Sequence, residues 1–217
     1  LSSIPSGLFV SNIKVTNFSN AFNGCTKLSS IPEDLFDTNI DVSDFSYIFN
    51  NCTGLLDIPS GLFDYNVGAG NFSYTFYGCN KLTGITVDLF KYNTLVTNFS
   101  YCFANCTLLE YIPNQLFRTN LLVNNFSYTF STCPKHKNVY DLFYISGETG
   151  TRFYNKSVNF TQCFYRTTYT GSVQGTAPDL WNCTFGGTVT RTQCFGGTGN
   201  NTTSISNYSS IPSNWRT

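Results

Sequence analysis

A block of fifteen residues recurs along this chain at a constant distance. NFSYTFYGCNKLTGI begins at Asn71, and near copies begin at Asp44 and Asn98. Two phenylalanines and one cysteine stay at the same places, and the step between copies is 27 residues without an insertion. A fixed period of roughly 20 to 50 residues is typical of stacked repeats. The chain is therefore predicted to form a solenoid with one coil per repeat. The equivalent positions are Phe18, Phe45, Phe72, Phe99 and Phe126, then Phe22, Phe49, Phe76, Phe103 and Phe130, then Cys25, Cys52, Cys79, Cys106 and Cys133.

The spacing inside one copy predicts its local structure. Phe72, Phe76 and Cys79 fall at positions i, i+4 and i+7, which indicates one face of a short helix, with Asn71 able to cap its first turn. The segment 82–85 follows, and in four of five copies a proline comes after its isoleucine and favours extended backbone there. We therefore expect an α/β solenoid with one short strand and short helices in each coil.

Stacking explains why the apolar positions are fixed. One coil cannot cover its own phenylalanines, but neighbouring coils can, and each buried side chain contributes about 1.5–3 kcal/mol. The nine cysteines have the same explanation, because five of them share one repeat position on the apolar face. We expect buried free thiols, with a disulfide among Cys163, Cys183 and Cys194 as the alternative.

The period divides the chain into two regions. Residues 1–133 hold the regular repeats, and residues 134–217 are expected to hold divergent repeats with a hairpin insertion and an irregular C-terminal cap. The looser copies are NFTQCF at Asn159 and RTQCF at Arg191, and GETG at 147–150 lies between two aromatic-rich arms, which favours a hairpin. Divergent last coils usually close the open apolar end of a solenoid.

Charge excludes several classes of partner. The 217 residues carry a net charge of zero and only 11% of them are charged, so no basic surface for nucleic acid is expected. No apolar run reaches the length of a membrane span and no secretory leader opens the chain, so membrane insertion is not expected. The chain begins without Met, which is typical of a mature form or a piece of a longer protein.

Catalysis has little support in the sequence. His136 is the only histidine, it follows Cys133 without a second ligand cluster, and carboxylates do not recur as close pairs. We expect no enzyme activity, no metal and no cofactor. A hydrolase that uses Glu148 of the GETG segment is kept as a distant alternative.

Two sets of repeat positions are candidates for binding. A tyrosine follows the first phenylalanine by two residues in four coils, and a variable residue precedes the conserved isoleucine. Tyrosine can contact a sugar or a protein at small entropic cost, but a tyrosine ladder can also simply shield the layer beneath it. The variable residues fit recognition and neutral drift equally well. The candidates are Tyr47, Tyr74, Tyr101 and Tyr128 in the first set, and Ser30, Asp57, Gly84 and Tyr111 in the second.

Twelve asparagines begin N-x-S/T sequons. Asn17, Asn71, Asn98 and Asn125 belong to the repeated Asn-Phe-Ser. In a secreted eukaryotic protein these four would be candidate glycosylation sites. The other interpretation is that Asn-Phe-Ser recurs simply as the helix-start signal of each repeat.

The segment FNNCTGLLDIP, from Phe49 to Pro59, resembles the BspA-like leucine-rich repeats. The stretches GETGTRFYNKSVNFTQCFYRT, GTAPDLW and IPSNW are similar to the ends of the phage and gut-bacterial versions. The resemblance implies a right-handed leucine-rich-repeat coil that presents a surface for attachment, as in bacterial adhesins, protist surface proteins and phage tail or head fibres. It implies an extracellular location, on a cell surface or a virion. The repeat is longer than the commonest unit of that family.

These observations lead to two hypotheses of function. The preferred one is a non-enzymatic attachment module that binds a host surface glycan or protein. The alternative is a structural or decoration protein that assembles with copies of itself into a fibre or coat.

Overall fold

The computed structural model describes residues 1–135, 141–143, 152–166, 175–197 and 205–217. Each 27-residue repeat forms one coil, and successive coils stack on one another. Equivalent rings one period apart are in contact: the Phe45 and Phe72 centroids are 5.5 Å apart, and those of Phe49 and Phe76 are 5.6 Å apart. The predicted repeat solenoid is confirmed by these contacts. No helix in the described part of the chain is long and apolar enough to cross a membrane.

Three columns of phenylalanine fill the core. Within a column the rings stack on their counterparts, and between columns they meet at larger angles, as for Phe63 and Phe72 at 4.8 Å and 63°. The third column comes from the Leu-Phe pairs of the repeat. The columns are Phe18, Phe45, Phe72, Phe99, Phe126 and Phe160, then Phe22, Phe49, Phe76, Phe103, Phe130, Phe164 and Phe195, then Phe9, Phe36, Phe63, Phe90, Phe117 and Phe143.

The predicted short helix is wrong. In residues 71–79 alternate N–H groups leave the coil: those of Phe72, Tyr74 and Phe76 donate to carbonyls of the next coil at 3.0, 2.9 and 2.8 Å. The intervening residues close three overlapping turns, because the N–H groups of Thr75, Tyr77 and Cys79 each donate to the carbonyl three residues before. Tyr74 and Gly78 have φ of 57° and 69°. Left-handed residues cannot continue an α-helix. Such turns in series also place residues i, i+4 and i+7 on one side, which is why the spacing suggested a helix.

The predicted strands are reduced to single-residue bridges. Parallel bridges link successive coils where each Asn-Phe-Ser or its equivalent begins, from Asn17 through Asp44 to Asn159. Two more join Gly84 to Tyr111 and Arg166 to Gly197. A short parallel pair appears only near the end of the described chain, where β1 (Val158–Asn159) pairs with β2 (Val189–Thr190).

The last coils end under a short helix. Two 3₁₀ turns, Leu180–Asn182 and Tyr208–Ser210, precede α1 (Ser213–Arg216). The Trp215 carbonyl accepts the N–H of Phe195 at 2.9 Å, and its ring centroid is 5.9 Å from that of Phe160. The tryptophan thus covers the end of the first phenylalanine column, at a level where Arg191 replaces the repeat phenylalanine. The predicted hairpin at 147–150 lies outside the described residues.

A column of buried asparagines joins each coil to the preceding one. Asn93 is fully buried, and its Nδ2 donates to the carbonyls of Phe63 at 3.0 Å and Asn66 at 2.9 Å in the preceding coil. Arg152 continues the column, because its guanidinium donates to the carbonyls of Phe117 and Asn120, the equivalent acceptors. The sequence interpretation missed this column, although the same period carries it. Its members are Asn39, Asn66, Asn93 and Asn120.

The nine cysteines are all free, which agrees with the packing interpretation. Four of the five repeat thiols donate to a carbonyl of the preceding coil, as Cys52 does to Phe22 at 3.2 Å and Cys79 to Phe49 at 3.4 Å. Burial, reinforced by the neighbouring Cys25, raises the pKa of Cys52 to about 12, and burial raises that of Cys79 well above its usual value. These thiols are core side chains with weak donors.

The asparagine of each Asn-Phe-Ser closes a local turn. The Ser100 N–H donates to Asn98 Oδ1 at 2.9 Å, and Asp44 accepts the N–H of Ser46 in the same way at 2.8 Å. We expect Asn98→Ala to lower the free energy of unfolding by about 1 kcal/mol, because it removes this acceptor. Asn98→Asp should be close to neutral, since Asp44 already fills the position. Urea denaturation of both variants tests this, and equal losses in the two would contradict it.

Candidate functional site

The four repeat tyrosines form a continuous stack on the outside of the turns. The ring centroids of Tyr47, Tyr74, Tyr101 and Tyr128 are 4.4, 4.4 and 4.3 Å apart in order, with interplanar angles of 10° or less. We call this set the tyrosine column. All four side chains are half-buried.

The backbone of the tyrosine column is in an unusual conformation. Tyr47, Tyr74, Tyr101 and Tyr128 have φ of 58°, 57°, 57° and 59°. The left-handed region costs a non-glycine residue roughly 1–2 kcal/mol, and asparagine, which Asn20 supplies at this position in the first coil, tolerates it better. The strain is tolerated because the backbone ladder fixes the turn and because each stacked ring pair contributes about 0.5–1.5 kcal/mol. Backbone strain of this kind clusters at functional sites.

Stacking determines what the tyrosine column can offer to a ligand. Tyr74 and Tyr101 each have a ring on both faces, so no ligand can stack on them, and they present ring edges and hydroxyls instead. Burial raises the pKa of both phenols, and neighbouring phenols of the column add to the effect. Tyr74 and Tyr101 therefore keep their protons at physiological pH. The role of the tyrosine column in binding stays a prediction. That prediction no longer includes stacking of a ligand on the faces of Tyr74 and Tyr101.

The variable positions before the isoleucine do not form a comparable row. Ser30, Asp57 and Tyr111 are exposed, whereas Gly84 is half-buried. The Tyr111 Cβ lies 3.4 Å from the place that a Cβ on Gly84 would take, so the tyrosine side chain covers the glycine.

The two candidate sets are separate on each coil. The variable position follows the tyrosine by ten residues, as Asp57 follows Tyr47. Among the described residues, the ring contacts of the tyrosine column are made within the column and with Tyr77, and the bridge at Gly84 belongs to Tyr111 alone. The structure does not bring the two sets together as one site.

The predicted sequon asparagines lie at the start of the turns. Asn17 is exposed, whereas Asn71, Asn98 and Asn125 are half-buried and accept the N–H of the serine two residues on. The alternative interpretation gave them a structural role as helix starts; the role is structural, but they close a turn instead of starting a helix. Their glycosylation stays a prediction.

The residues considered for catalysis give no site that can be described. His136 and Glu148 lie outside the described residues. In the described ranges, no group of three His, Cys, Asp or Glu side chains could hold a metal ion.

A row of exposed apolar side chains runs across the coils. The sequence interpretation missed it. Ile13, Ile40, Val67 and Leu121 are 51%, 56%, 55% and 55% exposed, and Thr94 occupies the equivalent position of the fourth coil. We call these four residues the apolar stripe. Contiguous exposed apolar surface commonly marks an interaction site. The 27-residue period carried the signal, but only the structure shows that these side chains point outward.

Parallel coils with columns of equivalent residues define the chain as a repeat solenoid. Comparisons with known proteins give no more specific classification. No protein-family model matches the chain, and no curated protein sequence matches it. Several solved leucine-rich repeat structures show weak likeness, with TM-scores of 0.20 to 0.23.

Three of these structures come from bacteria. The T. pallidum leucine-rich repeat protein TpLRR is 18% identical, with 59% of this chain and 76% of that chain covered and a TM-score of 0.22. A leucine-rich cell surface protein of Faecalibacterium prausnitzii is 22% identical, with 58% of this chain and 32% of that chain covered and a TM-score of 0.23. A leucine-rich repeat protein of Bacteroides ovatus is 16% identical, with 91% and 66% covered and a TM-score of 0.20. The solenoid therefore rests on the contacts between its own coils.

Proposed function

We propose that this chain is a non-enzymatic recognition module of an extracellular surface protein or a phage tail or head fibre, and that it attaches to a glycan or protein on a host surface. The observation that carries the proposal is the tyrosine column, a rigid row of phenol edges without charge. Tyrosine supplies large contact area with one polar group and little loss of entropy on binding.

Repetition supports attachment rather than catalysis. The tyrosine column repeats one chemical group at intervals of 4.3–4.4 Å between rings, so a partner meets several equal contacts at once. Several copies of the module on one particle would add avidity to weak individual contacts. The bacterial cell surface protein named above is consistent with such a location but does not carry the proposal.

The test removes the hydroxyls and keeps the rings. We expect the fluorescently labelled chain to bind cultured epithelial cells, and we expect changing all four column tyrosines to phenylalanine to lower binding at least fivefold without changing the melting temperature. The matched control changes the exposed residues Tyr65, Tyr92 and Tyr154 to phenylalanine and should bind as the unchanged chain does. Absence of cell binding, or equal binding by both variants, would overturn the proposal. Treating the cells with protease or with periodate separates a protein partner from a glycan.

The apolar stripe favours a second candidate function. Residues that are more than half exposed and equivalent in three neighbouring coils could seat the same stripe of another copy. The chain would then be a structural or decoration protein that assembles into a fibre or coat. Sedimentation distinguishes the two: concentration-dependent assembly without ligand favours this candidate, and a stable monomer that binds cells favours recognition.

A further inference from the structure

A cleft opens beside the end of the tyrosine column. Its volume is about 240 Å³, and it is lined by Tyr77 and Tyr165, by Ala104 and Ser131, and by column residue Tyr128 with Gln162 after it. We propose that this cleft binds a single neutral sugar ring. The inference rests on the proposed recognition function and gives it a place and a class of ligand.

The cleft arises from the identity of one repeat position. Tyr77, Ala104, Ser131 and Tyr165 each follow a first-column phenylalanine by five residues, in four successive coils. Two small side chains thus lie between two large ones. Coils stack at strand spacing, so the two tyrosines are separated by three steps, or about 14 Å. The result is a trough two coils wide with an aromatic wall at each end.

The cleft provides ring surface that the tyrosine column does not. Tyr77 is tilted by 47° from Tyr74 at 5.6 Å between centroids, so the two are not stacked face to face. Tyr128 is the last ring of the column, and the equivalent residue of the following coil is Gln162, whose amide donates to Gln193 at 2.9 Å. An aromatic face and fixed amide dipoles therefore meet at the same place.

The chemistry of the lining favours a neutral sugar over other small partners. All nine lining residues are uncharged: besides tyrosine they are Ala, Ser, Thr, Asn and Gln. A pyranose has one apolar C–H face that packs on a ring and several hydroxyls that exchange hydrogen bonds with phenol and amide groups. A nucleotide or a sialylated glycan would bring negative charge with no lysine or arginine in the lining to receive it.

Size limits the ligand. Pockets for drug-sized molecules enclose roughly 300–1,000 Å³, so this cleft is suited to one sugar ring rather than to a folded segment of protein. The lining holds no Asp, Glu or His, so binding should be the same at pH 5 and pH 8.

The test exchanges residues that the same position already accommodates. Tyr77→Ala copies the coil that has Ala104, and Ala104→Tyr copies the coil that has Tyr77, so both variants should fold. Saturation-transfer NMR and titration calorimetry with lactose, cellobiose and maltose measure binding. We expect at least one of the three disaccharides to bind, with roughly tenfold weaker association after Tyr77→Ala or Tyr165→Ala and loss of binding after Ala104→Tyr, which fills the trough. The exposed Tyr92→Ala serves as the matched control and should bind normally.

The outcomes separate this inference from the proposed function. If the chain binds cells and Ala104→Tyr binds them equally well, the cleft proposal fails and recognition by another surface stands. If 3′-sialyllactose binds more tightly than lactose, or if binding changes between pH 5 and pH 8, the neutral-sugar assignment is wrong. If neither cells nor any of the disaccharides are bound, both proposals fail.

Discussion

Raising the pH from 8 to 11 is expected to unfold the protein cooperatively, with far-UV and near-UV circular dichroism lost together. The cause is a set of six buried thiols whose pKa values are all raised, chiefly by burial. They are Cys52, Cys79, Cys102, Cys106, Cys163 and Cys194.

The direction follows from proton binding in the two states. In the unfolded chain these thiols ionise near their ordinary pKa of 9.0, whereas in the folded protein they keep their protons to higher pH; the pKa of Cys52 is raised to about 12. Above pH 9 the unfolded state therefore binds fewer protons, and stability falls by roughly 1 kcal/mol per thiol for each pH unit. Six thiols over two pH units remove an amount comparable with the roughly 5–15 kcal/mol of a typical domain. Below pH 9 these groups should have no effect.

A matched variant is provided by the repeat itself. Cys102 and Cys163 occupy a position that holds threonine in two other coils, where the buried Thr75 and Thr129 hydroxyls donate to carbonyls. The double variant Cys102→Thr/Cys163→Thr should fold and should lose stability with pH about a third less steeply above pH 9. The titration is carried out with reductant present. A return to pH 8 should restore the spectrum, which shows that the unfolding is reversible. Stability that stays level up to pH 11 would contradict the burial of these thiols.

Much of the fold could be predicted because the period is so regular. The constant step predicted the phenylalanine columns, and the free thiols followed from the position of Cys52 and its equivalents on the same face. The period shows which residues are equivalent, but it does not give the conformation between them. Glycine or asparagine at Gly24, Asn51 and Gly78 was a signal for left-handed turns in place of a helix. The other left-handed position of the coil, held by Tyr74, gave no such signal, because tyrosine rarely adopts a left-handed backbone conformation.

The candidate site was only partly accessible from the sequence. The tyrosine column is visible as a repeat, but the stacking that covers the faces of Tyr74 and Tyr101 depends on the distance between coils. The cleft depends on equating Ser131 with Tyr165 across an irregular step of 34 residues. The sequence supplied that alignment through NFTQCF at Asn159, and the Phe130 N–H, which donates to the Cys163 carbonyl at 2.8 Å, confirms it. What the sequence did not show is that the small residues between Tyr77 and Tyr165 leave an open cleft.

The buried asparagines lead to the second large effect. We expect Asn93→Asp to lower the free energy of unfolding by roughly 3 kcal/mol or more at pH 7. The two carbonyls that now accept from Nδ2 would face a carboxylate oxygen, and each buried group left unsatisfied costs about 1–3 kcal/mol. The other amide atom, Oδ1, has no hydrogen-bond partner among the described residues. No donor at that position would therefore stabilise the carboxylate of Asn93→Asp. Thr94→Asp places the same charge on the exposed neighbour and should change stability by less than about 0.5 kcal/mol.

The pH dependence of Asn93→Asp separates a buried charge from a simple loss of packing. A carboxyl held among carbonyls and away from water keeps its proton more strongly in the folded than in the unfolded state. The destabilisation should therefore be greatest above the pKa of the folded state and should shrink as the pH falls towards 4, where a protonated carboxyl can donate one of the lost hydrogen bonds. Urea denaturation at pH 4, 5.5 and 7 measures the difference between Asn93→Asp and Thr94→Asp. A large difference that does not change with pH would mean that lost packing, and not a buried charge, causes the destabilisation. A difference near zero at every pH would mean that residue 93 contacts water, which would break the asparagine column that joins the coils.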